Sequence, residues 1–193
     1  MLDYTIQAAL KSKINDVIVS TDSDKVAEIA KKSGAQVPFI RPNNISDDRT
    51  TNKKVLLHAV NFMESTKSKK YDLLFVLQPT SPIRSYVHIN DCIDLLGNSM
   101  CDSIASIFGP IKKNQKHLKV LSVNNRLLDY HKGENRPYFK YNASIYGAKR
   151  NFFLETGDYH SGQQIGYVMD KIHSVDIDDE IDFKIASHLL NAL

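Results

Sequence analysis

The run Gln78-Pro79-Thr80-Ser81-Pro82-Ile83-Arg84 gathers an amide, two hydroxyls and a guanidinium around two prolines. It follows Leu73-Leu74-Phe75-Val76-Leu77, an uninterrupted apolar stretch that reads as a strand buried on both faces of a parallel sheet. The prolines end the ladder because neither can donate a backbone N–H. Ligands of open α/β sheets bind at the carboxyl ends of strands, so a stiffened polar loop there is a candidate site. The competing reading is a turn leading into a helix. A second constellation is Asp176-Ile177-Asp178-Asp179-Glu180. On a strand end, Asp176 and Asp178 point to one side. Two carboxylates so placed repel unless a cation lies between them. Mg²⁺ is commonly held by one or two carboxylates together with substrate phosphates. Capping of the last helix by Asp178 or Asp179 is the alternative.

In Asn142-Ala143-Ser144-Ile145-Tyr146 the polar side chains of Asn142, Ser144 and Tyr146 share one face of a strand. Such a face lines a sugar pocket or meets water from a sheet edge. Arg41 ends a strand pattern just before Pro42, where a guanidinium suits phosphate or carboxylate, or a surface ion pair. Other chemistries lack their signatures. The sequence has no G-x-S-x-G nucleophile motif, no histidine pair at helical i, i+4 spacing and no Gly-rich phosphate loop of either common type.

The elements that must position these residues follow from periodicity. Helices are expected over residues 3–12, 24–33 (Val26, Ile29 and Ala30 inward), 52–65, 85–96 and 179–193, with a helical turn at 151–154. Strands are expected at 17–20, 36–41, 73–77, 102–108, 141–148, 165–169 and 172–177. Their alternation predicts an α/β fold with a mostly parallel sheet and helices on both faces. Residues 109–137 break the order and read as an excursion, a β-arm or loop, inserted into a single domain formed by 1–108 and 138–193.

Bulk properties narrow the classes. A 193-residue chain with 42% hydrophobic and 24% charged residues suits one soluble globular domain. A net charge of +3 without a basic stripe argues against nucleic acid. Cys92 and Cys101 offer neither a disulfide framework nor metal spacing, and suit a reduced, cytoplasmic protein. No stretch reaches membrane-span length, and the N-terminus has no signal-peptide pattern.

Five segments, in order, resemble the acylneuraminate (CMP-sialic acid) cytidylyltransferase family. They are Val17-Ile18-Val19-Ser20-Thr21-Asp22-Ser23, Val37-Pro38-Phe39-Ile40-Arg41-Pro42, Leu77 through Arg84, Asn142-Ala143-Ser144-Ile145-Tyr146, and Ser174-Val175-Asp176-Ile177-Asp178. The resemblance implies a nucleotide-diphospho-sugar transferase-like α/β sheet and a homodimer, with residues 109–137 as the dimerisation arm. It implies transfer of CMP from CTP to a nine-carbon acidic 2-keto sugar, N-acylneuraminate or legionaminate-like, with Mg²⁺ and release of pyrophosphate. By motif, Asp176 and Asp178 would hold the metal and help activate the attacking hydroxyl. Gln78, Asn142 and Tyr146 would meet the sugar, and Arg41, Thr50 and Thr51 the nucleotide.

Three departures accompany the resemblance. Lys132 or Arg136 stands where the family has the Arg that meets the sugar carboxylate. The family's Asn-Gly is Asn142-Ala143 here, which adds a methyl group. The family's opening strand and Arg/Gly/Ser/Lys phosphate loop have no counterpart, and Met1-Leu2-Asp3-Tyr4-Thr5-Ile6 matches the helix after it. Little or no activity is therefore expected of this chain, and a non-catalytic sugar- or nucleotide-binding role, or that of a dimer partner, is the alternative. A 3-deoxy-manno-octulosonate cytidylyltransferase fits the 78–84 loop and the Asn142 segment less well.

Overall fold

In a computed structural model, residues 1–47, 49–112, 118–130 and 136–192 are described. The first half is helix-rich: α1 (Leu2–Leu10), α2 (Asp24–Lys32) and α3 (Asn52–Lys67) precede β1 (Leu73–Leu77) and α4 (Tyr86–Gly97). The second half is strand-rich: β2 (Ser103–Ile111), β3 (Lys119–Leu121), β4 (Leu127–Asp129), β5 (Tyr138–Lys149), α5 (Arg150–Thr156), β6 (Gln164–Met169) and α6 (Glu180–Ala192).

The caps explain several boundaries. Ser23 accepts the Val26 N–H at the start of α2. Gly34, just past the α2 C-cap, sits at φ +94°, a region that costs an L side chain energy. Ser85 and His88 form a reciprocal capping box that opens α4. Asp179 accepts the N–H groups of Ile181 and Asp182, so capping of α6 falls to Asp179. The inward face of α2 differs from expectation: Ala27 and Ala30 are buried while Ile29 is 43% exposed. Small residues let α2 lie close to α1, leaving no room for Ile29.

The sheet runs β4-β3-β5-β2-β6, with β1 on the other edge of β5. The α/β class holds, but the sheet is mixed rather than mostly parallel. β2 and β6 are parallel, whereas β5 lies antiparallel between β1 and β2. The cause is the excursion. Among the described residues, the connection from β2 to β5 carries the β3–β4 hairpin and no helix, and it returns the chain along β2 in the opposite direction, while helical crossovers keep strands parallel. Within 109–137, β3 and β4 pair antiparallel, and the hairpin touches β6 through the Arg126–Ile165 bridge.

Two expected strands reduce to one parallel bridge, Ile18 with Gln36. The segment 172–177 is not a strand. Asp170 captures the His173 N–H and ring, turning the chain, and the Ile177 N–H goes to the Thr80 carbonyl instead of a ladder. β1 also departs from its expectation of full burial: all five residues are half-buried, because only its β5 edge is paired. One core packs Ile89, Cys92 and Leu96 of α4 on Ile104 and Ile145 of the sheet. The opposite face packs Leu56 and Leu57 of α3 and Phe153 of α5 on Ala105 and Ala148. Helices thus cover both faces, and no helix is long and apolar enough to cross a membrane among the described residues.

Candidate functional site

The 78–84 loop is tied down by its last residue. Arg84 is 3% exposed. Its guanidinium donates to Thr5 Oγ1 of α1 at 2.7 Å and to the Gln78 carbonyl at 2.5 Å. It also donates to the Ser144 carbonyl and, at 3.3 Å, to Ser144 Oγ on β5. A planar fork with fixed donors suits this three-way grip. Burial pulls the guanidinium pKa down to about 9, while the nearby Asp176 carboxylate pushes it back up. It stays cationic at neutral pH. The turn reading and the site reading therefore merge: the loop leads into α4, and its conformation is locked beneath the strand ends.

The acidic segment joins this loop. Ile177 N–H donates to the Thr80 carbonyl at 2.9 Å, and Ser81 Oγ lies 3.4 Å from Asp176 Oδ1. Asp176 is half-buried and faces Arg84; Asp178 is exposed. Asp178 takes part through its backbone, whose N–H donates to Asp182. Its carboxylate makes no hydrogen bond or ion pair among the described residues, which leaves it available for a ligand. No cluster of three or more His, Cys, Asp or Glu suited to a metal ion occurs among the described residues. A two-carboxylate set fits a hard cation that takes its remaining oxygens from phosphates and water.

Asn142 is a buried hub rather than an open pocket wall. Its Oδ1 accepts from Ser106 Oγ at 2.6 Å and from the Ser144 N–H at 3.3 Å. Its Nδ2 donates to Ser174 Oγ at 2.9 Å, fastening β5 to the segment that carries Asp176. Its amide is thus occupied by protein. Ala143 sits at φ +58°, in the left-handed region, opposite a shift in the β2 register between Ala105 and Ile107. The methyl that distinguishes Ala143 from the family's Gly is therefore placed where a side chain is strained.

Tyr146 opens an aromatic cluster. Its ring lies 5.3 Å from Tyr159 and 4.7 Å from His160, which also packs edge-on against Tyr141. Burial, then the neighbouring Tyr159, Tyr141 and Asp176, pushes the Tyr146 phenol up to about 12, so it remains a neutral donor. Burial holds the His160 imidazole below its usual pKa.

The expected nucleotide residues stand apart from this group. Arg41 donates to Asp22 at 2.9 Å and to Ser46 at 3.2 Å, so the ion-pair reading describes its present state. Thr50 Oγ1 donates to Asp47 at 2.6 Å. Thr51 is the N-cap residue of α3, without a side-chain cap bond. The link between the two groups is Asn52, whose Nδ2 donates to Tyr159 Oη at 3.3 Å beside Tyr146. Lys132 lies outside the described residues. Arg136 donates weakly to the Leu121 carbonyl at 3.4 Å. Sequence reasoning did not find Thr5, Ser106, Tyr159 and His160, and named Ser174 within a motif without a role. Thr5, Ser106 and Ser174 serve through tertiary bonds that leave no local pattern. Tyr159-His160 follows a Gly157 turn and carries no periodicity.

This arrangement presents hydroxyl, phenol, amide and two carboxylates at the carboxyl end of β1, next to a buried cation. It can hold a polar acidic ligand and bring a cation to a phosphate. A family model described as Cytidylyltransferase matches residues 1–191. The chain is 32% identical over 196 residues to an N-acylneuraminate cytidylyltransferase of Escherichia coli, covering 96% of this chain and 45% of that protein. This chain thus spans about half the length of that relative. It is also 32% identical to a CMP-N,N'-diacetyllegionaminic acid synthase of Campylobacter jejuni, over 99% of this chain and 84% of that one. In fold it resembles a 4-diphosphocytidyl-2C-methyl-D-erythritol synthase of Anaerococcus prevotii, with a TM-score of 0.65, 10% identity, and coverage of 98% and 88% of the two chains. With the family matched across residues 1–191, the chain belongs to the cytidylyltransferase family.

Proposed function

We propose that this chain forms the acyl-sugar side of a site that joins CMP from CTP to a nine-carbon acidic 2-keto sugar. The observation that carries the reading is the docking of the Asp176–Asp178 segment onto the 78–84 loop through the Ile177–Thr80 bond. It sets the acidic segment beside the loop that begins at Gln78. The anomeric hydroxyl oxygen attacks the α-phosphorus, the bond to the bridging oxygen of the β-phosphate breaks, and pyrophosphate leaves. The hydroxyl proton passes to the exposed Asp178 carboxylate. Asp176, held beside Arg84, orients the approach. A Mg²⁺ ion held by Asp176 and Asp178 would supply neutralisation of phosphate charge. Positioning carries the rest of the rate.

Arg41, freed from Asp22, is the candidate nucleotide contact, with Thr50 and Thr51 at the entrance to α3. Asn142 acts by holding the Ser174 segment in place. A homodimer is also proposed; the fully exposed Val123 in the β3–β4 connection is the kind of apolar tip that a second copy would cover. Sedimentation would report it. A cytoplasmic location accords with two buried free cysteines.

The function is tested at protein concentrations comparable with substrate, with CTP, Mg²⁺ and N-acetylneuraminate or N,N'-diacetyllegionaminate. CMP-sugar that forms only when both substrates are present supports the enzyme. Saturable sugar binding without product overturns the transfer reading. Product from 3-deoxy-manno-octulosonate alone overturns the sugar assignment.

A further inference from the structure

Two histidine rings meet where the start of α4 faces the turn after β6. The ring centroids of His88 and His173 lie 4.6 Å apart, edge to face, and both side chains are half-buried. His88 stands in the first turn of α4, three residues after the cap Ser85 that follows the 78–84 loop. His173 stands three residues before Asp176. Neither imidazole takes part in the proposed transfer chemistry. Each sits on one of the two segments that the Ile177–Thr80 bond joins.

Their hydrogen bonds assign the protons. His88 Nδ1 accepts the Ser85 N–H at 3.1 Å, so it presents a lone pair and the ring proton sits on Nε2. Asp170 Oδ2 lies 2.8 Å from His173 Nδ1, so that nitrogen carries a proton. A further proton on His88 has one place to go, Nδ1, where it meets the Ser85 N–H. Two donors then point at each other, and α4 loses half of its capping box. Ser85 Oγ, at 3.4 Å from the same nitrogen, is too distant to be a strong replacement acceptor.

The surroundings give a cation on His88 little support. Facing it are His173 and Asp170 from the turn, Tyr167 of β6, Asp91 of α4 and Arg84 of the loop. Both carboxylates are already engaged. Asp170 accepts the His173 N–H at 2.9 Å as well as its ring, and Asp91 accepts the Tyr167 hydroxyl at 2.7 Å. Burial holds the His88 imidazole below its usual pKa, with His173 and Arg84 acting in the same direction and Asp170 and Asp91 against it. A histidine lowered in the folded state contributes stability above its unfolded pKa and loses it as pH falls through the folded one.

We propose that His88 and His173 form a pH-sensitive clasp: neutral His88 holds the acidic segment against the start of α4, and protonated His88 releases it. The proton acts on both sides of the contact. On one side it uncaps Ser85 and frees the end of the 78–84 loop. On the other, an imidazolium half-buried beside the Arg84 guanidinium is lower in free energy turned out to water, which withdraws its ring from His173. The two disturbed segments share the Ile177–Thr80 bond, so acid loosens that bond. The inference is independent of the transfer reading, because it concerns a conformational equilibrium of the free protein.

Nuclear magnetic resonance on the whole protein, titrated between about pH 7.5 and about pH 5, tests it without any substitution. The His88 ring should titrate below the range of a free imidazole, and the amide signals of Ser85, His173 and Ile177 should shift with the same midpoint. Exchange at the Ile177 amide, corrected for its intrinsic rate, should be at least ~10-fold faster at the acid end. His88→Gln keeps an acceptor for the Ser85 N–H and cannot ionise. That variant should fold as the native protein does, and its Ile177 exchange should change less than ~2-fold over the same range. A His88 ring that titrates at or above the free value overturns the proposal, since the cation is then held in place. So does a His88 titration that leaves Ser85, His173 and Ile177 unmoved. Equal acid loosening in His88→Gln overturns it as well, because another group is then responsible.

Discussion

Arg84→Lys is the substitution whose consequence follows most directly from geometry. The native guanidinium spans Thr5 Oγ1, the Gln78 carbonyl and the Ser144 carbonyl, joining α1, the loop and β5. Hydrogen bonds to a charged group contribute about 1.5–3 kcal/mol each. A lysine ammonium keeps the charge facing Asp176, but its single nitrogen cannot serve acceptors spread along a planar fork. Loss of one to two of the three bonds costs about 2–4 kcal/mol. Against a total stability of about 5–15 kcal/mol, the variant still folds. Urea denaturation should show a lower midpoint with an unchanged slope. A cycle with Thr5→Val should give a coupling above about 0.5 kcal/mol, because the two side chains share a bond. A stability within about 0.5 kcal/mol of the native protein would refute the reasoning. It would mean that the loop is held by its prolines and the Ile177–Thr80 bond alone.

Three further outcomes are expected. Ala143→Gly relieves a φ of +58° and should stabilise the protein by about 0.5–1 kcal/mol, read from thermal unfolding. Burial raises the Asp16 carboxyl, but hydrogen bonds from Lys67, Gln36 and Tyr71 outweigh it and hold its pKa down to about 2. Its side chain is only 9% exposed. A depressed carboxyl contributes stability above its unfolded pKa and loses it as pH falls. The contribution, about 2 kcal/mol, should vanish between about pH 4 and pH 2, and Asp16→Asn should flatten that part of the stability profile. Asp178→Asn removes an exposed carboxylate that has no hydrogen bond or ion pair among the described residues, so folding should be unchanged while CMP-sugar formation falls at least ~100-fold. Unaltered formation would remove Asp178 from the proton-accepting and cation-holding role.

Much of the fold was legible because its signals are local. The apolar run 73–77 matches β1 residue for residue, and the Ser23 and Ser85 caps set the starts of α2 and α4. Strand direction was not legible. The inversion of β5 depends on how the excursion returns, and no residue in 141–148 encodes which neighbour it meets. The same limit made β1 look like a central strand: five apolar residues read alike whether an edge is paired or faces a slot. At the site, residue types were legible and their duties were not. Asn142 carries the polarity expected of a sugar contact, yet Ser106 and Ser174, distant in sequence, consume its amide. Arg84 appeared only as the end of a loop motif. Its burial under three elements is a tertiary fact.

The central claim is that the strand end around Gln78, Tyr146 and Asp176 receives a nonulosonic acid. Calorimetric titration of the intact protein with N-acetylneuraminate tests it most directly. The account requires saturable binding to the native protein, weakened at least ~10-fold in Gln78→Ala and left unchanged in Lys25→Ala on the exposed side of α2. Absence of binding, or binding unaffected by Gln78→Ala, would contradict it.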